Sequence, residues 1–127
     1  MTPPAPPGPP ALIWTQAARD ALDNLLDWLA RQPWGDPGAR LGEIHAAAQA
    51  VAYGPAHAPT RGTVAGHDLR WRRAGEKMLV VYVWDEPQGD DPGAVYIVHV
   101  AHTDQENRMP PANISRALRE LARARRS

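Results

Sequence analysis

Apolar and polar residues change their spacing several times along this chain, and each change marks an element. Ala11 to Trp14 is a short apolar run, and Thr15 is a good N-cap, its hydroxyl able to take an amide of a first helical turn. From Gln16 to Gln32, Ala18, Leu22, Leu25, Leu26 and Leu29 recur at helical spacing, with Arg19, Asp20, Asp23, Asn24 and Asp27 elsewhere. That predicts an amphipathic helix ended by Pro33. Asp36 followed by Pro37 is a second start signal, and Leu41, Ile44, Ala48 and Val51 form one stripe until Gly54 and Pro55. Two helices joined by a short loop pack as an antiparallel hairpin.

The stretch to Gly66 is rich in Pro, Gly and Thr and reads as loop. His67 to Arg73 then alternates, Leu69 and Trp71 on one face and Arg70 and Arg72 on the other, which predicts a strand covered on one side with a basic outer face. Lys77 to Trp84 is almost continuously apolar, as in a central strand buried on both faces. Prolines and glycines between Glu86 and Gly93 turn the chain, so Ala94 to Ala101 returns as a third strand of an antiparallel meander. Beyond Pro110 and Pro111, Ile114, Ala117, Leu118 and Leu121 fall at helical spacing among arginines, predicting a basic helix over 111–125. The order is strand, helix, helix, three strands, helix, an α+β pattern in which each helical stripe needs a sheet to bury against. Trp71, Val80 and Tyr82 are expected in the core, each aromatic contributing about 2 to 3 kcal/mol if buried.

Composition adds three constraints. The first ten residues hold six prolines, so 1–10 reads as a disordered or polyproline tail before one domain over 11–127. With 43% apolar and 22% charged residues, and no run of about 18 apolar residues, the chain is expected to be a folded, non-membrane protein. No cysteine and no signal-peptide pattern make a reducing, cytoplasmic location the simplest expectation. The formal charge is zero but segregated. Arg61, Arg70, Arg72, Arg73 and Lys77 outnumber the acids around them, Arg108 opens an arginine-rich C-terminus opposed only by Glu120, and Asp85, Glu86, Asp90 and Asp91 make the intervening loop acidic.

Four segments in this order, IWTQAARDALDNLLDWL, GTVAGHDLRWRR, KMLVVYVW and VYIVHVAH, resemble the RelE/ParE toxins of bacterial toxin–antitoxin pairs over Leu12 to about Leu121. The resemblance implies a helical hairpin packed on a twisted antiparallel sheet that the first strand joins, and a cognate antitoxin that wraps the domain. RelE-like members cut messenger RNA on the ribosome, and ParE-like members inhibit DNA gyrase without chemistry of their own. Ribosome-dependent cleavage of messenger RNA is the leading expectation from the resemblance, with gyrase inhibition, or a degenerate member that only binds its antitoxin, as the alternatives.

RNA cleavage through the 2′-hydroxyl needs a base, cations for the phosphate and an acid for the leaving oxygen. On that reading His102, with a reference pKa of about 6.5, is the acid–base candidate, with Arg72 and Lys77 completing a catalytic set. Arg61, Arg70, Arg73 and Arg108 would line the nucleic acid. The stretch AHTDQENR lacks the tyrosine those toxins often carry after the last strand, whereas the basic C-terminal helix is a feature of many RNA-cutting members. His99 lies inside an apolar strand, where a histidine is ordinarily part of the core. His99 and His102, three apart on a strand, belong to opposite faces, so no shared metal is expected. No P-loop, GxGxxG, GxSxG or HExxH pattern occurs, and no cofactor is expected.

Overall fold

The computed structural model describes residues 10–55, 58, 60–64, 66–105 and 110–125. The proline-rich segment 1–9, Arg108 and the side chain of Arg61 lie outside the described residues. The elements are β1 (Ala11–Trp14), α1 (Gln16–Ala30), α2 (Pro37–Tyr53), β2 (Thr60–Val64), β3 (His67–Ala74), β4 (Met78–Asp85), β5 (Ala94–His102) and α3 (Pro111–Arg125). The fold is α+β with three helices and one five-stranded sheet, ordered β1-β5-β4-β3-β2. No helix among the described residues is long and apolar enough to cross a membrane.

Both helix starts follow from their caps. Thr15 Oγ1 accepts the Ala18 N–H at 3.1 Å and donates to the Ile97 carbonyl at 2.9 Å, so one hydroxyl caps α1 and ties it to β5. Asp36 Oδ1 accepts the Ala39 N–H at 3.1 Å with Pro37 in the first turn of α2. Two features of the sheet differ from the expectation. Thr60–Val64, read as loop, is an edge strand, because a bulge between Thr60 and Gly62 and an outer position accommodate a glycine that an interior strand would not. The sheet is mixed instead of antiparallel, since β1 pairs in parallel with β5, Ala11 opposite Ala94 through Trp14 opposite Ile97.

A third difference matters more for function, for both faces of the sheet are covered. Met78, Val80, Tyr82, Val95, Ile97 and Val100 pack against Leu25, Leu29, Ile44, Ala48 and Val51 of the α1–α2 hairpin. Leu69, Val81, Val83, Tyr96 and Val98 pack on the other side against Ile114, Ala117, Leu118 and Leu121 of α3. At about 1.5 to 3 kcal/mol for each fully buried large side chain, that second layer is far too favourable to stay open to solvent. Val80 and Tyr82 are fully buried as expected, and Trp71 packs half-buried on the α3 side. Polar contacts fix where α3 sits. The Glu120 carboxylate accepts the Gln16 and Ala17 N–H groups at 2.7 and 2.9 Å, taking amides that the first turn of α1 leaves unpaired. Arg116 meets Asp20 at 2.7 Å beside it, and the two partners together hold the Asp20 carboxyl below its usual range, the Gln16 side-chain hydrogen bond first and Arg116 next.

Candidate functional site

At one end of the sheet the α1–α2 turn, the start of α2, the β3–β4 turn and the end of β5 surround a cleft of about 360 Å³. Trp34, Asp36, Arg40, Glu43, Glu76, Lys77, Met78, His102 and Asp104 line it together with Leu29. Two local features shape it. Gly75, at φ +61°, turns the chain between β3 and β4, and a side chain there would run into the Glu43 carboxylate. This close approach sets Glu76 and Lys77 opposite α2. Across the cleft, a Cβ on Gly35 would fall on the Leu29 carbonyl oxygen, so glycine lets the α1–α2 turn fold back tightly behind Trp34.

His102 owes its place to a bulge in β5. Ile97 pairs with Tyr82 but His99 pairs with Val81, so the alternation slips by one residue and His102, opposite Met78, falls on the hairpin side. His99, opposite Val81, occupies the α3 side. The His102 side chain is only 3% exposed. Its ring centroid lies 5.1 Å from that of Trp28 and 5.3 Å from that of Trp34, and the two indoles meet edge to face at 5.7 Å. Nδ1 accepts the Asp104 N–H at 3.0 Å, so in the neutral ring the proton is on Nε2. Burial pushes the His102 pKa below 6.5 and the Lys77 and Arg40 charges act the same way, while Asp104 opposes them.

The sign of that shift makes a prediction. A histidine whose folded pKa is depressed keeps its full contribution to stability above its unfolded pKa of about 6.5, and loses it as pH falls through the folded value. Urea midpoints measured between pH 8 and pH 5 should therefore decline below about pH 6.5 more steeply in the native protein than in His102→Gln. Equal slopes would show that the ring is not held neutral.

The other residues singled out from the sequence do not converge on this cleft as a set. Lys77 does, and its Nζ is 3.5 Å from Asp104 Oδ2. Arg72 borders a separate shallow groove against Glu43, Ala46, Ala47 and Ala50 of α2, and its Nε is buried without a hydrogen-bond partner among the described residues. Arg70 is half-buried, donating from Nη1 to the Ala58 carbonyl at 2.6 Å with its guanidinium 5.8 Å from the Trp84 ring centre. Arg73 is exposed on the strand that carries both, one position from Arg72 and so on the opposite face. The expected basic outer face is therefore not built. Arg70 and Arg72 share the hairpin side with Tyr82 and Val80, and Leu69 and Trp71 face α3. Trp28, Trp34, Arg40, Glu43 and Glu76 were not evident as site residues from the sequence. The one local signal was Trp34, a large aromatic in a Pro-Trp-Gly-Asp-Pro turn that neither helical stripe can absorb.

The cleft's charge decides what it can do. Asp36, Glu43, Glu76 and Asp104 face Arg40 and Lys77, which leaves two negative charges when His102 is neutral. Both cations already have partners, Arg40 with Glu43 at 3.1 Å and Lys77 with Asp104. Among the described residues no group of three or more histidine or acidic side chains is placed to hold a metal ion.

The chain matches no known protein-family model, and no curated protein is significantly similar to it.

Proposed function

We propose that this protein is the toxin half of a toxin–antitoxin pair of the RelE/ParE kind, and that it acts by binding a protein target, as the gyrase-inhibiting members do, not by cutting messenger RNA. The observation that carries the choice is the fate of the cations. A strand of RNA brings one negative charge per phosphate and is held by arginine and lysine free to meet it. Here Arg70 is bonded to a backbone carbonyl and Arg72 lies against α2. Lys77 stands in a cleft with two excess carboxylates. A phosphate about 8 Å from one such carboxylate is repelled by about 2 kcal/mol at an effective dielectric constant of about 20. His102 is also poorly disposed to act as a base, because its neutral ring spends the Nδ1 lone pair on Asp104 and carries the proton on Nε2.

The fold supports the toxin reading through its element order, and the exposed surfaces of the hairpin and α3 leave room for an antitoxin to wrap it. His102 and Lys77 sharing one cleft is the observation that favours the nuclease reading instead. Expression without a partner should arrest bacterial growth, and purified protein in excess should block supercoiling by DNA gyrase. Unimpaired growth together with full gyrase activity would overturn the proposal.

A further inference from the structure

The cleft has the wrong charge for a phosphate and the right walls for a cation. Trp34 is 55% exposed, although the protein has an apolar core that could have taken it. It is held in place from behind, by Trp28 edge-on at 5.7 Å and by the buried His102 ring at 5.3 Å, so a π face is presented without ordering cost. Indole is the best of the aromatic faces for a cation. Glu76, exposed on the opposite wall, makes no hydrogen bond or ion pair to the described residues, and Asp36 commits Oδ1 to the cap of α2. The resident cations do not fill this role, since Arg40 and Lys77 are each matched by a carboxylate of their own.

We propose that the cleft receives one arginine side chain from a partner protein, its guanidinium stacked on Trp34 and paired with the carboxylates of Glu76 and Asp36. Size agrees, because about 360 Å³ is near the lower limit of small-ligand sites, room for one long side chain but not for a helix. Arginine fits better than lysine, since its planar and weakly hydrated head stacks on an aromatic ring while its fork meets a carboxylate. The inference rests on the protein-binding reading above and supplies an anchor for it. An aromatic ring held by its neighbours that takes up a single arginine is the kind of contact on which a few residues carry an interface.

The test uses the full chain labelled with ¹⁵N, following the indole N–H signals during titration with the tripeptide acetyl-Gly-Arg-Gly-amide. The control peptide carries citrulline, the neutral isostere of arginine. The Trp34 signal should move and saturate with a Kd in the millimolar range, about −4 kcal/mol. Citrulline should bind at least about fivefold more weakly. Glu76→Gln should weaken binding about two- to fivefold, as for an exposed ion pair. Trp34→Ala, followed at Trp28, should weaken it about two- to thirtyfold. An unmoved Trp34 signal, equal binding of the citrulline peptide, or a larger response to uridine monophosphate than to the arginine peptide would each overturn the inference. None of these readings depends on gyrase or on growth, so the anchor and the toxin proposal can fail separately. Trp34 and Glu76 are both exposed, so neither substitution puts folding at risk.

Discussion

Tyr82→Ala is expected to be the most damaging single substitution in the core, lowering stability by about 3 to 5 kcal/mol. Tyr82 is fully buried on the central strand β4, between the hairpin and the sheet, and its hydroxyl donates to the Pro55 carbonyl at 2.5 Å just past the end of α2. Truncation removes the ring, leaves a cavity, and strands a carbonyl that closes α2 onto the sheet. Against a total of about 5 to 15 kcal/mol for a domain, that is about a fifth or more of what holds the fold. Tyr82→Phe keeps the ring and loses only the hydrogen bond, so it should cost about 0.5 to 1.5 kcal/mol. Urea or thermal unfolding of the two variants separates the packing contribution from the polar one. Burial, the leading cause, also raises the Tyr82 pKa above 10, so the phenol stays protonated and able to donate over the whole working range.

Much of this architecture is legible along the chain. Thr15 and Asp36 announce their helices, Gly54 and Pro55 end the second, and the apolar run after Lys77 is indeed the middle of the sheet. Each of these rests on spacing or on a local capping group, which is information carried within a few residues. What was hidden depends on partners far away in sequence. The alternation in β3 shows that Leu69 and Trp71 share a face, but it cannot say that α3 covers that face, or that Arg70 and Arg72 extend their apolar stems along the hairpin side. The docking of α3 depends on Glu120 meeting amides 103 and 104 residues earlier. Read as an isolated acid in a basic tail, Glu120 carries no such message.

The site was hidden for the same reason. By simple alternation His102 would share a face with Tyr96 and Val98, and only the slip in β5 pairing moves it to the hairpin side beside Trp28 and Trp34. No residue type near His99 advertises that slip. Lys77 shares a cleft with His102, because the β3–β4 turn and the end of β5 meet there. Arg72 does not, because it lies along α2 from the interior of its strand.

The second large effect tests the two-sided sheet. Leu121 on α3 is fully buried in the cluster that holds Val81, Val83, Tyr96 and Val98. Leu121→Ala should therefore destabilise the protein by about 2 to 5 kcal/mol, the cost of deleting a core leucine and leaving a partly collapsed cavity. On a helix lying free in solvent the same change would stay within about 0.5 kcal/mol. A denaturation curve distinguishes the two outcomes by a wide margin. The larger loss would mean that the side of the sheet away from the hairpin, where Leu69 and Trp71 lie, is part of the core and closed to a nucleic acid. It would also mean that α3 is an integral layer of the domain.

The most direct measurement of the central claim is messenger-RNA integrity in a reconstituted translation reaction, mapped by primer extension, at protein concentrations that arrest growth or block gyrase. Intact transcripts are expected at those concentrations. Ribosome-dependent cuts that disappear in Lys77→Ala and His102→Ala would contradict the claim and return the cleft to RNA chemistry.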